Sequence, residues 1–147
     1  MSSVLVAAAV FLFDRLTKAQ IASTFMPGES RLIVPHLLYL TYVQNTHGAF
    51  GLFGDQAWLL IGLGLIVLGV FYVAFREAAA QSLLVRIAFG AILGGALGNM
   101  IDRLQRHFVV DFIDLRVWPV FNVADSFITV GVALLLIASA KRRPVTA

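Results

Sequence analysis

The chain has 147 residues, of which 60% are hydrophobic and 13% charged. A soluble domain of this size has too much surface for its interior to hide so much apolar side chain, so the composition points to an integral membrane protein. Cysteine is absent, which excludes disulfides, thiolate nucleophiles and cysteine-held metals, and a formal charge of +3 scattered along the chain does not suggest a nucleic-acid partner.

The first predicted span covers residues 4–21. Residues 4–13 are apolar without a break, and Asp14, Arg15, Thr17 and Lys18 follow. No Lys or Arg precedes the apolar run, so it does not read as a cleavable signal peptide. On a helix Asp14 and Lys18 are four residues apart and can pair. The pair can be a simple intrahelical bridge with Arg15 and Lys18 reaching toward the interface, or Asp14 can line a functional cavity; the two readings are compatible.

Residues 23–56 are mixed and are punctuated by Pro27-Gly28, Pro35 and Gly54. Residues 37–43 (LLYLTYV) are rich in β-branched and aromatic side chains and too short to cross a bilayer, which predicts a strand or small sheet at the interface. Asn45-Thr46-His47-Gly48-Ala49-Phe50-Gly51 follows, whose glycines permit either a plain turn or close approach of a substrate backbone.

Residues 57–75 carry no charge, and as a helix they extend about 28 Å, the thickness of a bilayer core. Arg76 and Glu77 end this span, and the next covers residues 83–101 with Gly90, Gly94 and Gly98 at four-residue intervals. Such a stripe lets neighbouring helices come close. The last span, residues 121–140, is closed by Lys141-Arg142-Arg143. Four spans put both termini on one side. The basic tail and the Arg76–Arg86 connection mark that side as cytoplasmic, and the polar motifs then gather at the outer face.

Those motifs are Asn99, Asp102 and Arg103 on the third span, Asp111 on a segment that folds back near Trp118-Pro119, and Asn122 and Asp125 at the start of the fourth, where helical spacing puts Asn122, Asp125 and Thr129 on one face. Carboxylates at membrane depth are costly and persist where they face an interior, a cavity or a partner. Asp111 and Asp125 are close enough in sequence to meet. Two adjoining carboxyls share a proton, so one can act as base toward water while the other acts as acid toward a scissile carbonyl. Asn99, Asn122 and Arg103 would orient them or hold substrate. The alternative is that these acids only satisfy helix ends and ion pairs. There is no HExxH, the histidines lack ligand spacing, and no Gly-x-Ser-x-Gly occurs. A small transporter relaying ions through Asp14, Asp102 and Asp125 is the other class, but the polar groups gather at one face instead of crossing.

In order and spacing, DRLTK (Asp14 to Lys18), Asn45 with GAFGLF, GGALGNMIDR, VVDFIDL and FNVADS resemble the lipoprotein signal peptidase (signal peptidase II) family over nearly the whole chain. The resemblance implies a single integral membrane domain over residues 1–147, all-α with four transmembrane helices and a small extracytoplasmic sheet and loop. It implies an aspartyl endopeptidase of the bacterial inner membrane, without metal or other cofactor. Its substrate would be a prolipoprotein whose cysteine carries diacylglycerol, cut just before that cysteine. Asp111 and Asp125 would be the catalytic pair. Asp14, Lys18, Asn45, Asn99, Asp102, Arg103, Asn122 and Ala124 match positions that shape the site. The partners expected are the lipidated substrate and membrane lipid, with no nucleic acid, and a monomer suffices because one chain completes the site. One departure is His47, which stands where the family usually has glycine two residues after the asparagine, and which is read as a non-ligand. An acylated substrate also suggests a lateral groove, expected near the Gly90–Gly98 stripe.

Overall fold

The computed structural model describes residues 2–46 and 57–140. Helix α1 (Ser2–Thr24) buries Ala7, Val10, Asp14, Lys18 and Ile21. These recur every three or four residues and so form one stripe along the helix. Outside the stripe Val4, Leu5, Leu12, Phe13 and Leu16 are exposed. The surface that would face lipid is therefore apolar, and the charges point inward. Helix α2 is Ala57–Gln81. Helix α3 (Leu83–Arg106) starts at Ser82, whose hydroxyl accepts from the Val85 N–H, and ends at His107 in a left-handed conformation with φ 64°. Both ends thereby satisfy backbone groups that a helix leaves unpaired. Helix α4 is Val123–Ala140. By length and composition α2, α3 and α4 can each cross a membrane.

α3 is the central helix, and its glycines explain why. A Cβ on Gly90 would lie 2.5 Å from the Ser3 carbonyl oxygen, and one on Gly94 would meet the Ala7 carbonyl. One on Gly98 would meet the Asp14 carboxylate. Contacts that advance along both helices together mean that α1 runs parallel to α3. On the adjoining face a Cβ on Gly95 would lie 2.6 Å from the Ala124 carbonyl oxygen, which brings α4 equally close. The expected packing role of the stripe is met: α1 covers that face. α2 packs on α3 through Leu68, Phe71 and Phe75, around a core of Val85, Ala88, Ile92 and Leu135.

The sheet is antiparallel in the order β1 (Ser30–Val34), β2 (Leu38–Asn45), β3 (Val109–Asp114). The strand read over residues 37–43 is therefore present, shifted to end at Asn45, and β1 and β3 accompany it. Val109 pairs with Asn45 and Asp111 with Val43. Beyond β3 the chain doubles back, and the Phe112 and Ile113 N–H groups donate to the Phe121 carbonyl at 3.0 and 2.7 Å. Ile21, Tyr42, Val110, Phe112 and Val123 form one apolar cluster that seats the sheet against the end of α1 and the start of α4. Asp111 thus arrives on a strand and Asp125 on a helix, both held by the same cluster.

Candidate active site

Asn122 begins the site. Its side-chain oxygen accepts from the Asp125 N–H at 2.9 Å, and Asp125 Oδ2 accepts from the Asn122 N–H at 3.3 Å. This reciprocal pair caps α4, an Asn-x-x-Asp version of the capping box. Asn122 therefore precedes the helix rather than sharing a helical face with Asp125 and Thr129, and Thr129 is exposed. With its oxygen committed to the cap, the Asn122 amide nitrogen is turned inward. It donates to Asp111 Oδ1 at 2.7 Å and to Asn99 Oδ1 at 3.1 Å. One buried asparagine thus touches both carboxyl-bearing residues.

Each aspartate has a further donor. Asn45 Nδ2 donates to Asp111 Oδ2 at 2.8 Å, and Asn99 Nδ2 donates to Asp125 Oδ1 at 2.8 Å. Asp111 is only 2% exposed. Burial first, and the nearby Asp125 carboxylate second, push its carboxyl up to about 7, against the pull of the Asn45 and Asn122 donors. A carboxyl with that value keeps much of its proton up to neutrality.

Beneath the pair lies a buried ion cluster. Lys18 Nζ is 2.8 Å from Asp14 Oδ2, 3.0 Å from Asp102 Oδ2 and 2.8 Å from Asn99 Oδ1. The i, i+4 pairing of Asp14 with Lys18 is as the sequence predicts. Asp102 is shared between Lys18 and Arg15, both on α1, rather than paired with its neighbour Arg103. Two carboxylates meet two cations, the balance that buried charges require. Asp14 Oδ1 also accepts from the Ala124 N–H at 2.9 Å, tying α1 to the first turn of α4. Ala124 itself is fully buried, with its carbonyl against Gly95. Arg103 donates to the Asn99 carbonyl at 3.4 Å, and its guanidinium lies within electrostatic reach of Asp125, Asp111 and Asp102.

All ten residues singled out from the sequence therefore converge, from α1, β2, α3, β3 and α4. Arg15 was missed as a member; its signal was a position three residues before Lys18 on the same helical face. Asp114 was missed too. It accepts from Thr41 Oγ1 at 2.7 Å and from the Arg116 N–H at 2.8 Å, fixing the turn that leads back toward Asn122. His47 and most of the Asn45 loop fall outside the described residues. Among the described residues no group of three His, Cys, Asp or Glu side chains has metal-holding geometry.

The comparisons with known proteins agree with one another. A family model described as Signal peptidase (SPase) II matches residues 6–141. The chain is 42% identical over 135 residues to the lipoprotein signal peptidase of Moorella thermoacetica, spanning 92% of this chain and 90% of that protein. It is 48% identical over 128 residues to that of Syntrophomonas wolfei, spanning 87% and 85%. Among solved structures it is similar to a bacterial membrane enzyme determined by the in meso method at 2.3 Å resolution. The TM-score is 0.89 at 36% identity, over 99% of this chain and 91% of that one.

Proposed function

The chain belongs to the signal peptidase II family, and on that premise we propose that Asp111 and Asp125 are the catalytic pair of its reaction. The activity is that of a lipoprotein signal peptidase, an aspartic hydrolase of a bacterial membrane that cleaves signal peptides from prolipoproteins. The observation that carries the assignment of the pair is Asn122, which bonds to Asp111 through its amide and to Asp125 through the helix cap.

In this reading Asp111 starts protonated, as its burial favours, and Asp125 starts ionised. Water attacks the scissile carbonyl carbon, its proton passes to Asp125, and the Asp111 proton passes to the carbonyl oxygen. The resulting tetrahedral diol collapses as the carbon–nitrogen bond breaks. Asp125 then gives its proton to the leaving nitrogen, and Asp111 recovers one from the diol. Atoms and protons balance, and the pair returns to its starting state. With one proton shared, the pair carries a single negative charge, which Arg103 offsets from α3.

The substrate is a prolipoprotein whose cysteine already bears diacylglycerol, cut just before that cysteine. Buried acyl methylenes contribute about 0.8 kcal/mol each, so the lipid would hold substrate at the membrane level of the site. The four helices cross the membrane as one domain, with approximate spans 4–21, 57–75, 83–101 and 121–140. Both termini lie on the cytoplasmic side, the site is near the outer face, and the monomer is the working unit. Supporting this topology, the Asp14–Lys18 cluster, Asn99, Asp125 and the sheet share one end of the bundle, while the connection carrying Arg76 and Arg86 lies at the other. α1 belongs among the spans despite Asp14, Arg15 and Lys18, because Asp14 and Lys18 are wholly buried against α3.

The test is cleavage of a diacylglyceryl-modified prolipoprotein by the purified protein, comparing wild type with Asp111→Asn and Asp125→Asn, each with and without chelator. Folded variants that lose cleavage, with a wild type indifferent to chelator, are expected. A folded variant that still cuts at the wild-type rate would remove that residue from the pair, and sensitivity to chelator would rule out hydrolysis by the two aspartates alone.

A further inference from the structure

Lys18 is completely buried; its ammonium is ion-paired with Asp14 Oδ2 at 2.8 Å and Asp102 Oδ2 at 3.0 Å, and it donates to Asn99 Oδ1 at 2.8 Å. The first two contacts are charge compensation. The third is not required for that purpose, because Asn99 is neutral and Asp102 already has Arg15. What the third contact does is fix an amide. An ammonium has no acceptor, so only the oxygen end of Asn99 can face it. Asn122 Nδ2 makes the same demand from another direction at 3.1 Å. The nitrogen end of Asn99 is left facing Asp125 Oδ1, at 2.8 Å.

A flipped Asn99 would oppose its NH2 to the ammonium and to the Asn122 NH2, and its oxygen to the Asp125 carboxylate. All three contacts would become repulsive. The unflipped amide forms a chain from ammonium to carbonyl to N–H to carboxylate, in which a cation on the oxygen strengthens the donor at the other end.

We propose that Lys18 is a positioning residue for the hydrolysis, acting through the Asn99 amide to keep a strengthened N–H aimed at Asp125. This rests on the reading of Asp125 as one of the catalytic pair. It goes beyond that reading by giving α1, which brings no carboxylate to the pair, a part in setting the geometry of the reacting group. Lys18 bonds to neither reacting carboxyl, and its charge acts only weakly on Asp111 across space; its hold on the donor facing Asp125 passes through Asn99, and removing Asn99 must abolish that hold.

A double-mutant cycle on Lys18 and Asn99 tests this, with kcat and KM measured on a diacylglyceryl-modified prolipoprotein and the full chain in detergent. Lys18→Met is expected to lower kcat by roughly tenfold or more, the scale of a lost preorganised donor, with KM changed by less than about twofold. In an Asn99→Ala background the same substitution is expected to lower kcat by less than about twofold. Lys18→Arg, which keeps the charge and the donors, is expected to recover most of the lost rate when Asn99 is present. Equal losses in both backgrounds, or a loss carried by KM, would overturn the proposal and leave Lys18 with charge compensation alone. If Lys18→Met does not fold, Lys18→Gln replaces it in the cycle, and the same non-additivity is required. Asp125→Asn in the same assay separates the two levels. Retained cleavage there defeats the assignment of the pair, whereas an additive cycle with an inactive Asp125→Asn defeats only the role of Lys18.

Discussion

Replacing Asp111 with asparagine is expected to abolish cleavage and yet, at neutral pH and above, to stabilise the protein. The Asp111 carboxyl moves from an ordinary value of 3.8 to about 7 on folding, because it is buried and faces Asp125. Well below pH 4 it holds its proton in both the folded and unfolded chains, and nothing is lost. As pH rises, the unfolded chain releases the proton first and the folded chain only near 7. Stability therefore falls across that interval and levels off above it. At about 1.4 kcal/mol per pH unit the fall approaches about 4 kcal/mol, an upper figure because the two carboxyls titrate together.

Asparagine has no such loss. It keeps an acceptor for Asn122 but turns an NH2 toward the Asn45 amide, a mismatch of about 1–2 kcal/mol that does not vary with pH. Asp111→Asn should therefore unfold slightly below wild type at pH 4 and above it at pH 8. The difference in midpoint should climb by about 10 °C between the two, at about 2–4 °C per kcal/mol for a chain of this size. Thermal unfolding of both proteins in one detergent over that pH series measures it. A difference that stays flat with pH would refute the claim that burial raises the Asp111 carboxyl.

Gly98→Ala should cost stability and activity together, because the new Cβ meets a carboxylate already held by Lys18 and the Ala124 N–H. A loss of about 1–3 kcal/mol is expected by unfolding. Gly69→Ala, with nothing within 4 Å of its Cβ, should be neutral or slightly stabilising, and equal behaviour of the two would be the contrary result. Asp102→Asn leaves Arg15 and Lys18 with one carboxylate between them. It should lower stability by about 3–5 kcal/mol, read as a lower midpoint at neutral pH; an unchanged midpoint would mean that the cluster is not closed to water.

The sequence carried what helical spacing and local motif can carry. Asp14 with Lys18 is an i, i+4 pair and was legible as such; so was the glycine stripe, although not which helix would cover it. The partner of Asp102 was not legible, because Arg15 lies on a different helix and the two meet only through the α1–α3 contact that the glycines permit. β3 escaped notice for a different reason. An exposed face would have given Val109–Asp114 an alternating pattern, but five of its six residues are buried, so no period of two appears. The pairing of Asp111 with Val43 then depends on a contact far along the chain, which no local window contains. The cap at Asn122 was readable in principle as Asn-x-x-Asp ahead of an apolar run, and there the assumption of one shared helical face displaced it.

Asn122 closes the first turn of α4 with the same side chain that reaches Asp111, so the helix start and the proposed pair cannot be assembled separately. The donors around them come from α3 and β2, and the bond to Ala124 comes from α1. A partly inserted chain, with any of these segments still unpacked, would hold two isolated acids with no proton to share. A hydrolase that matures in the same membrane as its substrates is in this way latent until it is whole, its competence serving as a report on its own completeness.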